Sequence, residues 1–140
     1  MESEKQYRAV TAQEEKPRGS ENVLVVDDDG FILRLTERLL GMLGFNSLLA
    51  ESGVEALDVF RQYKRDISCI ILDLSMPEMS GAELAKKIWQ LNPEAKIIVC
   101  SGVGEREARR HFNDSDKVGF LKKPFKPVDL EIVMRKLLAG

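Results

Sequence analysis

The sequence contains few cysteines and histidines and no long apolar run. Its 140 residues include two cysteines and one histidine. No stretch approaches the ~18 consecutive apolar residues of a membrane-spanning helix, and the start, MESEKQYRAV, lacks the apolar segment of a secretory signal. We therefore expect a cytoplasmic protein without direct membrane contact, in which any membrane attachment comes from another segment.

Both cysteines lie within or at the end of an apolar run, where a thiol usually behaves as a small buried hydrophobe. Because cytoplasmic proteins seldom keep structural disulfides, we expect Cys69 and Cys100 to be reduced core residues. His111 is the single histidine, which excludes a metal site built from a histidine pair, and we expect it at the surface.

The chain has no excess of positive charge. It carries 21 basic and 23 acidic residues, for a net charge of −2. Such a chain has no broad positive field with which to hold a phosphate backbone, so we expect no direct nucleic-acid partner. The length suits one domain and leaves little room for a second core, which argues against a multidomain enzyme.

The chain divides into a polar beginning and a longer, patterned part. Residues 1–20 are mostly polar, mix both signs of charge and end in Pro-Arg-Gly-Ser, so we expect a linker or disordered leader there. Over residues 21–140, short apolar runs alternate with amphipathic stretches, as they do in repeated strand-helix units. The apolar runs, which predict buried parallel strands, span residues 23–26, 47–49, 69–72, 97–100 and 118–121.

Four of the amphipathic stretches predict helices. The first is predicted over residues 31–43, with Gly44 in the left-handed conformation typical of a helix end. The third should stop before Pro93, and Pro127 suits the first turn of the last. The apolar residues at helical spacing are Ile32, Leu35, Leu39, Met42 and Leu43; Ala56, Leu57, Phe60 and Tyr63; Leu84, Ala85, Ile88 and Leu91; and Leu130, Val133, Met134 and Leu137.

A further helix, around Glu105 to Phe112, has a thin apolar stripe and is followed by turn residues at 113–116. We expect this segment to be the most mobile part of the domain. Five strand-helix pairs in about 120 residues, joined by right-handed crossovers, predict an α/β domain with a doubly wound parallel sheet, since a closed eightfold barrel needs about twice that length.

Polar side chains follow several of the predicted strands. The first strand ends in Asp27, Asp28 and Asp29, and the third ends in Asp73. Ligands gather at the carboxyl ends of strands in such sheets, so these carboxylates should meet in one crevice, although Asp29 also suits a helix cap. Crowded carboxylates resist ionisation unless a cation joins them, and hard oxygen ligands of this kind suit Mg²⁺.

The fourth and fifth strands add a hydroxyl and an ammonium group to the same end of the sheet, from Ser101 and Lys123. Together with Asp73 they form a set that can accept a phosphoryl group. Asp73 would attack phosphorus in line, and Lys123 would hold an equatorial oxygen. The Ser101 hydroxyl would donate to the acyl phosphate, which lets it distinguish two charge states of Asp73.

With these residues in place, the chain from about Asn22 to Leu138 resembles a response-regulator receiver domain of two-component signalling. The resemblance implies a flavodoxin-like fold with strand order 2-1-3-4-5. It is specific because four motifs occur in the right order, each at a strand end. These motifs are VLVVDDD, LDLSMPEMSG, IIVCSG and FLKKPF.

The resemblance implies a role for each matching residue. Asp73 matches the phosphoacceptor, and Lys123 the family's lysine, whose bond to the following proline is cis. The metal, Mg²⁺ or Mn²⁺, would be held by Asp28 and Asp73, by the backbone carbonyl of Ser75, and by Asp27 through water. Met76-Pro77 and Gly81 match the turn that follows the phosphorylation site.

Two residues match the family's switch, and the chain departs from the family's common pattern in two ways. Ser101 stands where the family has Thr or Ser, and Phe120 where it has Tyr or Phe. Because Phe120 lacks a phenol, its two states must differ by packing alone. Ser75 and Val103 offer no carboxylate to steer an attacking water, so we expect slow, unassisted hydrolysis of the acyl phosphate.

The resemblance also implies partners. The donor would be a sensor histidine kinase or a phosphotransfer domain docking near the first helix, where Phe31 and Leu40 form a second apolar set. Phosphorylation would be read at the surface of the fourth helix, fifth strand and fifth helix, and a homodimer is possible. The motifs are similar to those of receivers in hybrid sensor histidine kinases, with a free-standing single-domain regulator as the alternative.

Other functions share part of this pattern. A haloacid-dehalogenase-like hydrolase uses a nucleophilic aspartate but wants a second aspartate two positions on, where this chain has Ser75. A flavin or nucleotide module needs a phosphate-cradling glycine loop, and no such motif occurs. A receiver-like interaction domain that never accepts phosphate stays open as an alternative. The phosphoryl-accepting switch itself would not be a conventional enzyme.

Overall fold

The computed structural model describes residues 21–112 and 116–139. Strands and helices alternate along this part of the chain, as the sequence predicts. The strands are β1 (Asn22–Val26), β2 (Asn46–Ala50), β3 (Ile67–Asp73), β4 (Ile97–Ser101) and β5 (Val118–Lys122), and the helices are α1 (Gly30–Met42), α2 (Gly53–Tyr63), α3 (Gly81–Leu91), α4 (Glu105–Arg109) and α5 (Pro127–Ala139). A short 3₁₀ helix, Lys64–Asp66, leads into β3.

The five strands form one parallel sheet in the order β2-β1-β3-β4-β5, which confirms the predicted doubly wound fold. The chain order reverses beside β1, so the carboxyl ends of β1 and β3 border a crevice. Val26 lies opposite Leu72, and Asp73 lies opposite Cys100. This register brings the polar residues after β1, β3 and β4 to the same edge.

Helices cover both faces of the sheet, so successive strand residues point into two separate apolar layers. Leu24 and Val26 of β1 belong to the layer that contains Phe60 of α2 and Ile88 of α3. Val23 and Val25 belong to the layer beneath α1 and α5. Both cysteines are buried and free in this second layer, as predicted.

The predicted helix ends are confirmed. The Asp29 carboxylate caps α1 by accepting from the backbone N–H groups of Phe31 (2.9 Å) and Ile32 (3.5 Å). Gly44 has a φ of +93°, the left-handed conformation expected after a helix. Helix α5 begins at Pro127.

The apolar stripe predicted for α1 packs only in part against the core. The buried residues are Leu33, Thr36 and Leu40, whereas Leu35 and Met42 of the predicted stripe are exposed. Leu40, predicted to serve a partner contact, is fully buried. Helix α1 is apolar on two sides, so periodicity alone does not determine which side faces the sheet. Packing against β1 and β2 makes that choice.

Helix α4 is shorter than predicted. It ends at Arg109, and a turn over residues 110–112 replaces the expected last turn of helix. The prediction that this segment is mobile stays a prediction. The predicted leader, residues 1–20, and positions 113–115 lie outside the described residues. Within the described ranges, none of the helices has the length and apolar character needed to cross a membrane.

Candidate functional site

Three aspartates meet at the carboxyl edge of the sheet. Asp27 and Asp28 directly follow β1, and Asp73 is the last residue of β3. Carboxylate oxygens of these three side chains lie within 4.8 Å of one another. Asp27 and Asp73 are buried and Asp28 is exposed. The adjacent pairing of β1 and β3 therefore produces the predicted acidic crevice.

Lys123, the residue after β5, joins this cluster. Its ammonium nitrogen lies 2.9 Å from an oxygen of Asp27 and 3.0 Å from an oxygen of Asp73. The backbone N–H of Lys123 donates to the carbonyl of Ser101 at 2.7 Å, which fixes the start of the loop after β5. The bond between Lys123 and Pro124 is cis, as the resemblance implied.

The three carboxylates have different partners. Asp27 accepts from Lys123 with one oxygen and from the backbone N–H of Asp29 with the other, at 2.9 Å in each case. Asp73 accepts from Lys123 through a single oxygen. In the part of the chain that the structure describes, the Asp28 carboxylate has no recorded hydrogen bond or ion pair. The oxygens of Asp28 and one oxygen of Asp73 are thus the least engaged in the cluster.

One ammonium group faces three carboxylates, and the pKa values reflect this imbalance. Burial raises the pKa of Asp73, the hydrogen bond from Lys123 opposes that shift, and the charges of Asp27 and Asp28 add to it. Burial by itself would lower the pKa of Lys123, but its hydrogen bonds to Asp27 and Asp73 raise the pKa above its ordinary value. The cluster therefore carries an excess of negative charge that a bound cation would neutralise.

The donor set fits a hard divalent cation. Carboxylate oxygens are the ligands that Mg²⁺ and Mn²⁺ prefer, and Mg²⁺ commonly binds to one or two carboxylates while keeping several waters. Here the candidate ligands come from Asp27, Asp28 and Asp73. Ser75, two residues beyond Asp73, is exposed in the loop that leaves this edge.

Ser101 lies at the end of β4, next to the strand that carries Asp73. It is buried, and its hydroxyl donates to the backbone carbonyl of Val103 at 2.9 Å. Ser101 lines a groove of about 620 Å³ together with Ser75. His111 also lines this groove and is exposed, as predicted. Ser101 is thus close to the acidic crevice but engaged within its own loop.

Phe120 lies on β5 opposite Val99 of β4 and is half-buried. Its ring centroid lies 5.9 Å from that of Phe112, in an edge-to-face arrangement. The guanidinium carbon of Arg109 lies 4.6 Å from the same ring centroid. Phe120 and Ser101 both line a cavity of about 80 Å³. The two predicted switch residues therefore border a common space.

The loop after Asp73 is held by close backbone packing. A side chain at Gly81 would lie within 2.8 Å of the Leu74 Cα and would also strike the carbonyl oxygen of Asp73. Met79 packs its thioether directly against Gly53 at the start of α2. The sequence predicted the turn with Gly81 but not the contact between Met79 and Gly53.

The contact between Arg109 and Phe120 was not predicted from the sequence either. The spacing of Arg109 from Glu105, four residues earlier, indicates a helix-surface ion pair, and the two groups do form one. No pattern along the chain relates Arg109 to Phe120, because the contact depends on how α4 lies against β5.

Comparison with known proteins identifies the family of this arrangement. Residues 23–135 match the family model of the response regulator receiver domain. The chemotaxis protein CheY of Thermotoga maritima is 34% identical over 106 residues, which cover 75% of this chain and 87% of that protein. The crystallised CheY4 of Vibrio cholerae superposes with a TM-score of 0.77 at 26% identity, covering 86% of this chain and all of the other.

Another relative is much longer than this chain. The sensor kinase CckA of Brucella abortus is 32% identical over 120 residues, which cover 86% of this chain but only 13% of that kinase. The chain therefore spans a small part of this relative's length. The family match, the flavodoxin-like sheet order and the clustered aspartates lead to the same conclusion. The chain belongs to the response regulator receiver domains, a family of phosphoryl-accepting signalling switches distinct from conventional enzymes.

Proposed function

We propose that Asp73 is the phosphoryl acceptor and that its donor is a phosphohistidine of a sensor histidine kinase or a phosphotransfer domain. The observation that carries this proposal is that Asp73 contacts Lys123 and lies within 4.8 Å of Asp27 and Asp28. A carboxylate oxygen of Asp73 attacks phosphorus in line as the bond from phosphorus to the imidazole nitrogen breaks. The imidazole takes the electron pair, and Asp73 becomes an acyl phosphate.

The geometry favours Asp73 over its two acidic neighbours. Both oxygens of Asp27 already accept hydrogen bonds, one of them from Lys123. Asp28 is exposed. The hydrogen bonds of Lys123 described above go to Asp27 and Asp73. Asp73 combines a contact to Lys123 with a second oxygen that has no recorded partner among the described residues. The same ammonium group can then pair with the transferred phosphoryl oxygen.

The metal in this proposal is Mg²⁺ or Mn²⁺, which neutralises charge that develops on the phosphoryl oxygens. Asp28 and Asp73 would hold it directly, with the backbone carbonyl of Ser75 as a further ligand. Asp27 would act through water, which suits its two existing hydrogen bonds. The excess of carboxylates over ammonium groups supports this assignment.

Ser101 and Phe120 would relay the state of Asp73 to the surface formed by α4, β5 and α5. The Ser101 hydroxyl donates to the Val103 carbonyl in this structure, and an acyl phosphate on Asp73 offers it a stronger, charged acceptor. A change of acceptor would draw the loop after β4 toward Asp73. The cavity beside Ser101 gives the ring of Phe120 a place to move when that happens.

The donor would dock on the exposed side of α1. Phe31 is 72% exposed, only three residues beyond Asp28, and Leu35 and Met42 continue an apolar stripe along the helix. Such a stripe suits the apolar face of a helix that carries the phosphohistidine. Leu40 has no part in this surface because it is buried.

The similarity to the sensor kinase CckA favours a receiver within a hybrid histidine kinase. A free-standing regulator is the alternative, supported by the similarity to CheY. In either case we propose a cytoplasmic location. A homodimer formed through α4, β5 and α5 is compatible with the exposed apolar side chains Val128 and Ile132 on α5.

Exposure to acetyl phosphate with Mg²⁺, followed by intact-mass measurement, tests the central proposal. We expect a labile gain of one phosphoryl group, lost in the Asp73→Asn variant and in the presence of excess chelator. An Asp58→Asn variant, which changes an exposed aspartate on α2, should still be phosphorylated. A gain that persists in Asp73→Asn, or no gain in the wild type, would instead favour a different acceptor or an interaction domain without phosphotransfer.

A further inference from the structure

Resting on the proposed function, we propose that Arg109 is a positioning residue that holds Phe120 in its present, half-exposed position and thereby slows phosphorylation of Asp73. The guanidinium group lies over the aromatic ring, with its central carbon 4.6 Å from the ring centroid. This distance is within the ~6 Å over which a cation and an aromatic face attract. Any movement of the ring into the protein must break this contact.

Glu105 holds the Arg109 side chain in place. The Nε and Nη2 atoms of Arg109 donate to one oxygen of Glu105 at 2.9 and 2.6 Å, across one turn of α4. An exposed ion pair of this kind adds little stability by itself. Its effect here is to restrict the rotamers of a long side chain, so that less conformational entropy is lost when the guanidinium group rests on the ring.

A second contact holds the ring from another direction. Phe112 meets Phe120 with an interplanar angle of 74° and a centroid distance of 5.9 Å. Trp89 of α3 meets Phe112 in turn, at 6.4 Å and 86°. The indole N–H of Trp89 donates to the carbonyl of Ala95 at 2.8 Å, which anchors that end of the row. Movement of Phe120 would therefore disturb the environment of Trp89 through Phe112.

The space into which Phe120 can move is already present. A cavity of about 80 Å³ is lined by Phe120 and Ser101 and also by Val99 and Ala108. The present position of the ring has attractive contacts with Arg109 and Phe112, whereas an inward position would fill part of this void. Two arrangements of one ring, biased by identifiable contacts, form a two-state element.

The expected size of the effect follows from this bias. If the state with Phe120 inward is the one that reacts and is sparsely populated, the reaction rate is proportional to its population. An exposed cation–π contact corresponds to a factor of about two to five in an equilibrium constant. Loss of the Arg109 contact should therefore raise the phosphorylation rate by about two- to fivefold.

The experiment compares Arg109→Met with Arg106→Met, using acetyl phosphate and Mg²⁺ on the whole chain. Both changes remove one arginine charge from α4, but Arg106 has no ring contact or ion pair recorded within the described residues. Phosphorylation would be followed by intact mass and by the fluorescence of Trp89, the single tryptophan. We expect the Arg109→Met variant to react faster than the wild type by the factor above, and Arg106→Met to react like the wild type.

A double variant separates positioning from a general effect on the fold. In a Phe120→Ala background, Arg109→Met should produce no further acceleration, because the ring on which it acts is gone. Glu105→Gln, which keeps the guanidinium group but frees it, should produce a smaller acceleration than Arg109→Met. Should Arg109→Met unfold, Arg109→Gln serves in its place, since glutamine is neutral and cannot make the cation–π contact with the Phe120 ring.

The outcomes distinguish this inference from the proposed function. Equal rates for Arg109→Met and Arg106→Met, a slower Arg109→Met, or a full Arg109→Met acceleration in the Phe120→Ala background would each overturn the role of Arg109 while leaving Asp73 as the acceptor. Failure of the wild type to be phosphorylated, or phosphorylation that persists in Asp73→Asn, would overturn the proposed function and this inference with it.

Discussion

The ammonium nitrogen of Lys123 lies 3.0 Å from a carboxylate oxygen of Asp73, although the two residues are separated by 50 positions in the chain. The same nitrogen is 2.9 Å from Asp27, so one positive charge is shared between two buried carboxylates with Asp28 close by. The site is therefore short of positive charge when it holds no cation. This shortage suits binding of a metal ion but costs stability.

The first prediction concerns this cost. Replacement Asp73→Asn removes one carboxylate from the cluster while Lys123 keeps its contact with Asp27. We expect the variant to be more stable than the wild type at pH 7 without divalent ions, with a rise in Tm on the order of a few degrees. Thermal unfolding followed by circular dichroism measures this difference.

The difference in stability between the wild type and Asp73→Asn should depend on pH. Burial raises the pKa of Asp73 in the folded state above its ordinary value of 3.8. Stability associated with this group is thus fully present below that ordinary value and is lost as the pH rises through the folded-state pKa. The advantage of Asp73→Asn should therefore disappear below about pH 4. A variant less stable than the wild type at pH 7, or an Asp58→Asn control equally stabilised, would contradict this account.

The second prediction concerns the close packing beneath Asp73. In Gly81→Ala the new methyl group would meet the backbone of Asp73 and Leu74 and the side chain of Leu72, so we expect a destabilisation of about 1–3 kcal/mol. Gly41→Ala is the matched control, because its methyl group meets nothing within 4 Å in the described structure. That change should stabilise α1 by up to about 1 kcal/mol. Urea titration of both variants tests the opposite signs.

The third prediction uses two apolar residues of α1 that differ in exposure. Phe31→Ala should leave the free energy of unfolding nearly unchanged, since this side chain is 72% exposed. It should weaken binding to the phosphohistidine donor, measured by titration calorimetry with the cognate kinase or phosphotransfer domain. Leu40→Ala should do the reverse, with a loss of about 2–5 kcal/mol in stability, because Leu40 is fully buried. Unchanged donor affinity in Phe31→Ala would remove α1 from the docking surface.

The fourth prediction concerns the two thiols. Burial raises the pKa of Cys100 from 9.0 to about 12, and it raises the pKa of Cys69 as well. Neither thiol should react with iodoacetamide at pH 8 in the native protein, and both should react in concentrated urea. Because the folded-state values are raised, the stability that these groups provide is full below pH 9.0 and declines as the pH rises toward 12. Rapid native labelling at either position, measured by mass, would contradict the burial.

Much of the fold follows from local patterns. Short apolar runs predicted the five strands, and three of these runs are rich in Val and Ile, because strands covered on both faces have no polar side to show. Asp29, Gly44 and Pro127 marked helix ends through backbone chemistry that acts within a few residues. The inner side of α1 was not predictable in the same way, since Leu35 and Leu40 are equally apolar and only contact with the sheet separates them.

The candidate site shows the same division. The sequence by itself determined which polar residues end the strands, and the order of those strands places Asp27, Asp73, Ser101 and Lys123 at one edge. Only the tertiary structure decided that Lys123 is shared between two carboxylates and that Arg109 rests on Phe120. Strand identity is a local property of side-chain pattern, whereas these contacts depend on distances between atoms far apart in the chain, set by how the helices pack on the finished sheet.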